Sequence, residues 1–147
     1  MSRKGWIISA VVGLFIAIAI GSTFVFSSGK GELVELSPLE MKKFMSEEGT
    51  GFVMLSSDKK KRPDWIHNMR KLAEEYKIEI KELDEDRDDI PGTSNPYDWG
   101  LKQKRDTLTY YEKGKPKKSI KFRDMKISEF EKEIGFFIQN TKEQYQK

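Results

Sequence analysis

Four consecutive cations, Lys59, Lys60, Lys61 and Arg62, stand where an apolar run gives way to a helix-like stripe, inside the stretch GFVMLSSDKKKRPDWIHNMRKLAEEY at residues 51–76. Positive side chains just before a helix oppose the positive end of its dipole, at a cost of roughly a few tenths of a kcal/mol. Two readings follow. A charge run is ordinarily a solvated loop. Cations gathered around free first-turn amides also make an anion site, suited to an acidic peptide, a phosphate group or anionic lipid headgroups.

Other chemistries fare worse. The chain has no cysteine, so thiolate chemistry, lipoprotein modification and palmitoylation are all excluded. His67 is the only histidine. A nucleophilic triad would need it beside Ser56 or Ser57 with an orienting acid, a geometry no spacing fixes. A transition-metal site would need carboxylates around that single imidazole, so neither metal nor cofactor is expected. Asp84, Asp86 and Asp88 reproduce the D-x-D-x-D opening of an EF-hand loop. Its sixth position, however, is Asp89 where glycine makes the turn, and its twelfth is Asn95 where a glutamate closes the shell. Residues 82–89 therefore read as a solvated strand end and loop. The balance of 27 basic against 24 acidic residues gives +3, and without Arg3 and Lys4 the remainder is close to neutral. Nucleic-acid binding needs a far more basic field.

The anchoring of these residues begins at the N-terminus. Residues 5–29 carry no charge, and WIISAVVGLFIAIAIGSTFVF is long enough, at about 1.5 Å per residue, to cross a hydrocarbon core of about 30 Å. The expected organisation is a cytoplasmic tail at residues 1–4, a transmembrane signal anchor at 5–28, a linker at 29–33 and an extracytoplasmic domain at 34–147. Arg3 and Lys4 set that orientation in the cell membrane by the positive-inside bias. The alternative is a cleaved signal peptide, since Ala19 and Gly21 resemble a cleavage motif before Ser22, but the apolar run continues through Phe26.

Within the outer domain, the pattern predicts a strand near residues 33–36, then a helix with Ser37, Pro38 and Glu40 as a capping box. The run FVML at residues 52–55 predicts a central strand covered on both faces. Trp65, Ile66, Met69, Leu72, Ala73 and Tyr76 form one continuous helical stripe. Ile78, Ile80 and Leu83 alternate as a strand, and an acidic Pro/Gly-rich connection follows, with a short helix around Tyr97, Trp99 and Leu101. Residues 107–111 and 117–122 predict a hairpin, and Ser128 with Glu131 predicts a second capping box opening a last helix. Tyr97, Trp99, Tyr110 and Tyr111 are expected mostly as core or half-buried residues, with a minority anchoring a partner. The hairpin lysines read as protection of an edge strand.

This order is β-α-β-α-β, a helical connection, then β-β-α, which implies an α/β domain with a mixed central sheet flanked by helices. It resembles the thioredoxin-like superfamily. The resemblance rests on FVMLSS leading into a helix ending LAEEY, on IEIKELD, and on PGTSNPYDWGLKQKRDTLTYYEKGKP, and covers nearly the whole outer domain. It implies that the family's redox cysteines fall at Lys59 and Arg62, its cis-proline at Asp106 and its buried acid at Val53. Every element of dithiol exchange is thus replaced, and Asp106 is expected in a trans peptide, since a non-proline cis bond costs about 3 kcal/mol. The resulting expectation is a membrane-anchored, non-catalytic domain that binds a protein or peptide as an accessory or scaffold at the cell envelope. Lys59, Lys60, Lys61, Arg62 and Trp99 are its candidate anion or partner contacts. An anion or anionic-lipid module, or an enzyme with non-thiol chemistry, are the alternatives.

Overall fold

The computed structural model describes residues 31–87, 90 and 95–145, the side chains of residues 98 and 99 apart. The tail, the expected span at residues 5–28, the cleavage point before Ser22, and Asp88 and Asp89 lie outside the described residues. Among the described residues no helix is long and apolar enough to cross a membrane.

The elements run β1 (Glu32–Glu35), α1 (Pro38–Ser46), β2 (Gly51–Ser56), α2 (Arg62–Tyr76), β3 (Glu79–Asp84), a 3-10 turn (Pro96–Trp99), β4 (Thr107–Glu112), β5 (Lys115–Lys121) and α3 (Ile127–Tyr145). They form one five-stranded sheet in the order β1-β3-β2-β4-β5. β1, β3 and β2 are parallel, while β4 runs antiparallel to β2 and β5 antiparallel to β4. This is an α/β fold with a mixed sheet flanked by helices, compatible with a thioredoxin-like arrangement. β2 is central and all six of its residues are buried, which is why its sequence is a continuous apolar run and not an alternation.

The two faces of the sheet are covered unequally. On one, Phe52, Met54, Ile80, Leu108 and Tyr110 pack against Trp65, Met69 and Leu72 of α2 and Phe130, Ile134 and Ile138 of α3. Trp65, Phe122 and Phe130 meet edge to face there, with centroids 4.8 and 5.5 Å apart. On the other, Val53, Leu55, Leu83 and Tyr111 pack against Met41 and Met45 of α1 and Leu101 of the connection. Val53, the position matched to the family's buried acid, is fully buried in that apolar cluster.

Helix α1 starts as its sequence predicts: the Glu40 amide donates to Ser37 Oγ at 3.2 Å, and the Ser37 amide to Glu40 Oε1 at 2.8 Å. The second expected capping box does not form. α3 begins at Ile127, so Ser128 lies inside the first turn, where the amides of Glu129 and Phe130 are taken by the Lys126 carbonyl. Glu131 instead reaches Lys71 of α2 at 3.1 Å. Gly31, the first described residue, has a φ of +75° that suits glycine, and its Cα is pressed so close to α2 that a Cβ would stand 2.5 Å from the Ala73 carbonyl oxygen.

Candidate functional site

The four cations do not act as a group. Arg62, the first residue of α2, bends back over the ends of β2 and β3: its Nη2 donates to both carboxylate oxygens of Glu82 at 2.8 and 2.6 Å, and its Nε donates to Ser56 Oγ at 3.0 Å. Asp84 stands 3.7 Å from the same Nε. The Arg62 side chain is 21% exposed and that of Glu82 only 5%. Burial pushes the Glu82 carboxyl above its ordinary range despite the pull of Arg62. One nitrogen thus serves both carboxylate oxygens while Nε holds Ser56, and these charge-assisted bonds offset part of the desolvation.

The first-turn amides are not free either. Asp58 Oδ1 accepts from the amides of Lys60 at 2.9 Å and Lys61 at 3.1 Å, and these donors, the Lys61 amide foremost, hold its carboxyl below the ordinary range. The amides of Asp64 and Trp65 go to the Lys61 carbonyl. The expectation of open amides ringed by cations is corrected accordingly: the chain carries its own anion, Asp58, at that place. Lys61 Nζ donates to the Arg123 carbonyl at 3.1 Å, and Lys59 and Lys60 are left exposed.

Asp106, matched to the family's cis-proline, closes the junction from the other side. There is no cis peptide among the described residues, and Asp106 adopts a left-handed backbone with φ of +56°. Its Oδ1 accepts from the Ser57 amide at 2.9 Å and lies 3.4 Å from the Ser57 hydroxyl. Arg123 Nε stands 3.7 Å from Oδ2, which accepts no hydrogen bond among the described residues. Burial raises this carboxyl too.

Glu85 completes the cluster. Its amide donates to the Ser56 carbonyl at 2.7 Å, and its Oε1 faces Arg105 Nε at 3.4 Å. Burial, opposed by Arg105 and reinforced by the negative charges of Asp106 and Asp86, pushes its carboxyl up to about 7. That proton affinity would suit a general acid or base. With 2% of its side chain exposed, Glu85 offers no surface to a substrate.

His67 is exposed on α2, and no three ligating side chains converge on a metal position among the described residues. Trp99 ends the 3-10 turn, and its side chain lies outside the described part. Tyr97 is 49% exposed, whereas Tyr110 and Tyr111 are core residues. Tyr111 donates to Gln103 Oε1 at 3.1 Å, and Gln103 Nε2 donates to the carbonyls of Val53 and Thr107, each at 3.0 Å. Residues 82–89, expected as a solvated strand end and loop, instead contribute the buried carboxylates of Glu82 and Glu85, drawn in by Arg62 and Arg105, while Gln103 carries no signal in the sequence. Compared with protein-family models and with curated proteins, the chain matches none.

Proposed function

We propose that the domain is a redox-inactive, thioredoxin-like module, held at the cell membrane by residues 5–28 on its extracytoplasmic side, that binds a protein or peptide partner as an accessory or scaffold. The observation that carries this reading is the use of Arg62 and Asp106. At the two positions matched to a redox cysteine and the cis-proline stand side chains spent on internal contacts, to Glu82 and Ser56 in one case and to Ser57 in the other. A junction closed by its own ion pairs is a structural device, and what remains for function is the surface it keeps in place. The anion reading of the basic run loses Arg62 and the helix amides and falls back on Lys59 and Lys60.

Two experiments test this. The full chain, purified in mild detergent, should retain a stoichiometric protein partner, and repeated purifications without one would sink the binding role. Because the chain lacks cysteine, Lys113→Cys introduces a unique thiol in the turn between β4 and β5. A membrane-impermeant maleimide should label it in intact cells; protection until lysis would overturn the proposed orientation.

A further inference from the structure

Over β4 and β5 lies a groove of about 490 Å³, with Lys102, Lys104, Lys121, Thr109, Ser119 and Tyr97 among its walls and no acidic residue. Thr109 and Ser119 share a hydrogen bond of 2.8 Å on its floor. Lys102 Nζ is held by the Gly114 carbonyl at 3.0 Å. Lys104 and Lys121 are exposed and pair with no acid among the described residues.

β5 is also an edge, so one side of its backbone has no strand partner among the described residues. Lysines on such an edge ordinarily block unwanted pairing. That explanation covers Lys115, Lys117, Lys118 and Lys121, but not Lys102 and Lys104, which come from the connection before β4 and line the same groove. Cations brought from two separate segments onto a floor of hydroxyls are complementary to carboxylates. The opposite edge, β1, bears Glu32 and Glu35, and Glu35 is already paired with Arg87 at 3.1 Å.

We infer that the β5 edge and its groove take an extended acidic segment of a partner protein, added as a sixth strand. The inference rests on the binding role proposed above and names its site and chemistry. Alternation along an added strand would bring every second side chain, about 7 Å apart, over the groove face, where Lys121 and Lys104 meet carboxylates. Pro116, which has no amide to donate, and the irregular register at Tyr110/Tyr111 confine the pairing to the Lys118–Lys121 end, beside the groove.

The test uses the full chain in detergent micelles and a capped ten-residue peptide alternating glutamate with threonine. The peptide should bind, slow hydrogen exchange at β5 amides and weaken as salt rises. The double variant Lys104→Glu/Lys121→Glu should bind it at least tenfold more weakly, as should the wild-type chain when the peptide is N-methylated at alternate residues. No binding at millimolar peptide overturns the inference, and so does equal binding by the reversed variant or by the N-methylated peptide. Salt-sensitive oligomers of the chain that the peptide does not dissolve would assign the edge to a second copy instead, also overturning it. A reversed variant that keeps its detergent-stable partner removes this site while sparing the binding role; only the absence of any partner for the wild-type chain removes both.

Discussion

The closed end of β2 and β3 and the open face of β4 and β5 are both rich in charge, yet they treat it in opposite ways. At the closed end each of three arginines has an acid within reach: Arg62 has Glu82 and Asp84, Arg105 has Glu85, and Arg123 has Asp106. On the open face Lys104 and Lys121 have none among the described residues. Charges withdrawn from water must be paired, because an isolated buried ion is very costly, and that pairing fixes local geometry. Unpaired charges in water cost little to the fold and remain available to something else. Position within the fold separates structural cations from candidate binding cations, and it coincides with residue type: arginine at the closed end, lysine on the open face.

The strongest way to break this contrast is Arg62→Met, which strands Glu82 buried without its partner and should cost about 3 kcal/mol by urea unfolding. Arg62→Met combined with Glu82→Met should recover most of that loss. A single variant as stable as the parent would show that the clamp does not hold the junction.

Next comes pH. The folded Glu85 carboxyl titrates near 7, against about 4.3 in an unfolded chain, so the folded state holds the extra proton between those values. Stability should therefore fall as pH rises from about 4.5 to about 7, by up to about 3 kcal/mol. The raised carboxyls of Glu82 and Asp106 act in the same direction. Glu85→Gln should flatten the profile and stabilise the protein at pH 8; an unchanged slope between pH 5 and pH 8 would place the proton elsewhere.

A smaller effect is expected at Tyr111→Phe, which leaves Gln103 Oε1 without its donor and should cost about 1–2 kcal/mol in the same assay. Smallest of all, Lys59→Glu/Lys60→Glu and Lys104→Glu/Lys121→Glu should each shift stability by less than about 0.5 kcal/mol. A larger loss from the second pair would mean that the groove lysines are structural after all.

Much of the architecture was legible because periodicity reports burial directly. The run at residues 52–55 has the length and apolar continuity of a strand covered twice, and the stripe from Trp65 to Tyr76 the spacing of a helix with one buried face. The division of labour within Lys59–Arg62 was less visible, although a signal existed. Arg62 lies three residues before Trp65 and seven before Met69, and Lys61 four and eight before them, so spacing put both on the side of the apolar stripe, and only the acids Glu82 and Asp84 across the sheet end single out Arg62. Glu82 likewise follows Ile80 by two in β3 and shares its strand face. Asp58 follows two serines and precedes the helix, a pattern typical of capping segments. Asp106 gave no local sign: its partner Ser57 is 49 residues away, and such a contact exists only once β2 and β4 are paired.

Gly31 has a mechanical meaning. A chain pressed against the Ala73 carbonyl, with the Glu32 amide already bonded to Ile78, cannot swivel about that point. Tension or torque arriving through residue 30 would load the β1–β3 seam and the end of α2 first. β5 lies at the far side of the sheet, with β3, β2 and β4 between it and the loaded strand. A pull on the N-terminal side of Gly31 would thus be absorbed at one margin while the other kept its register.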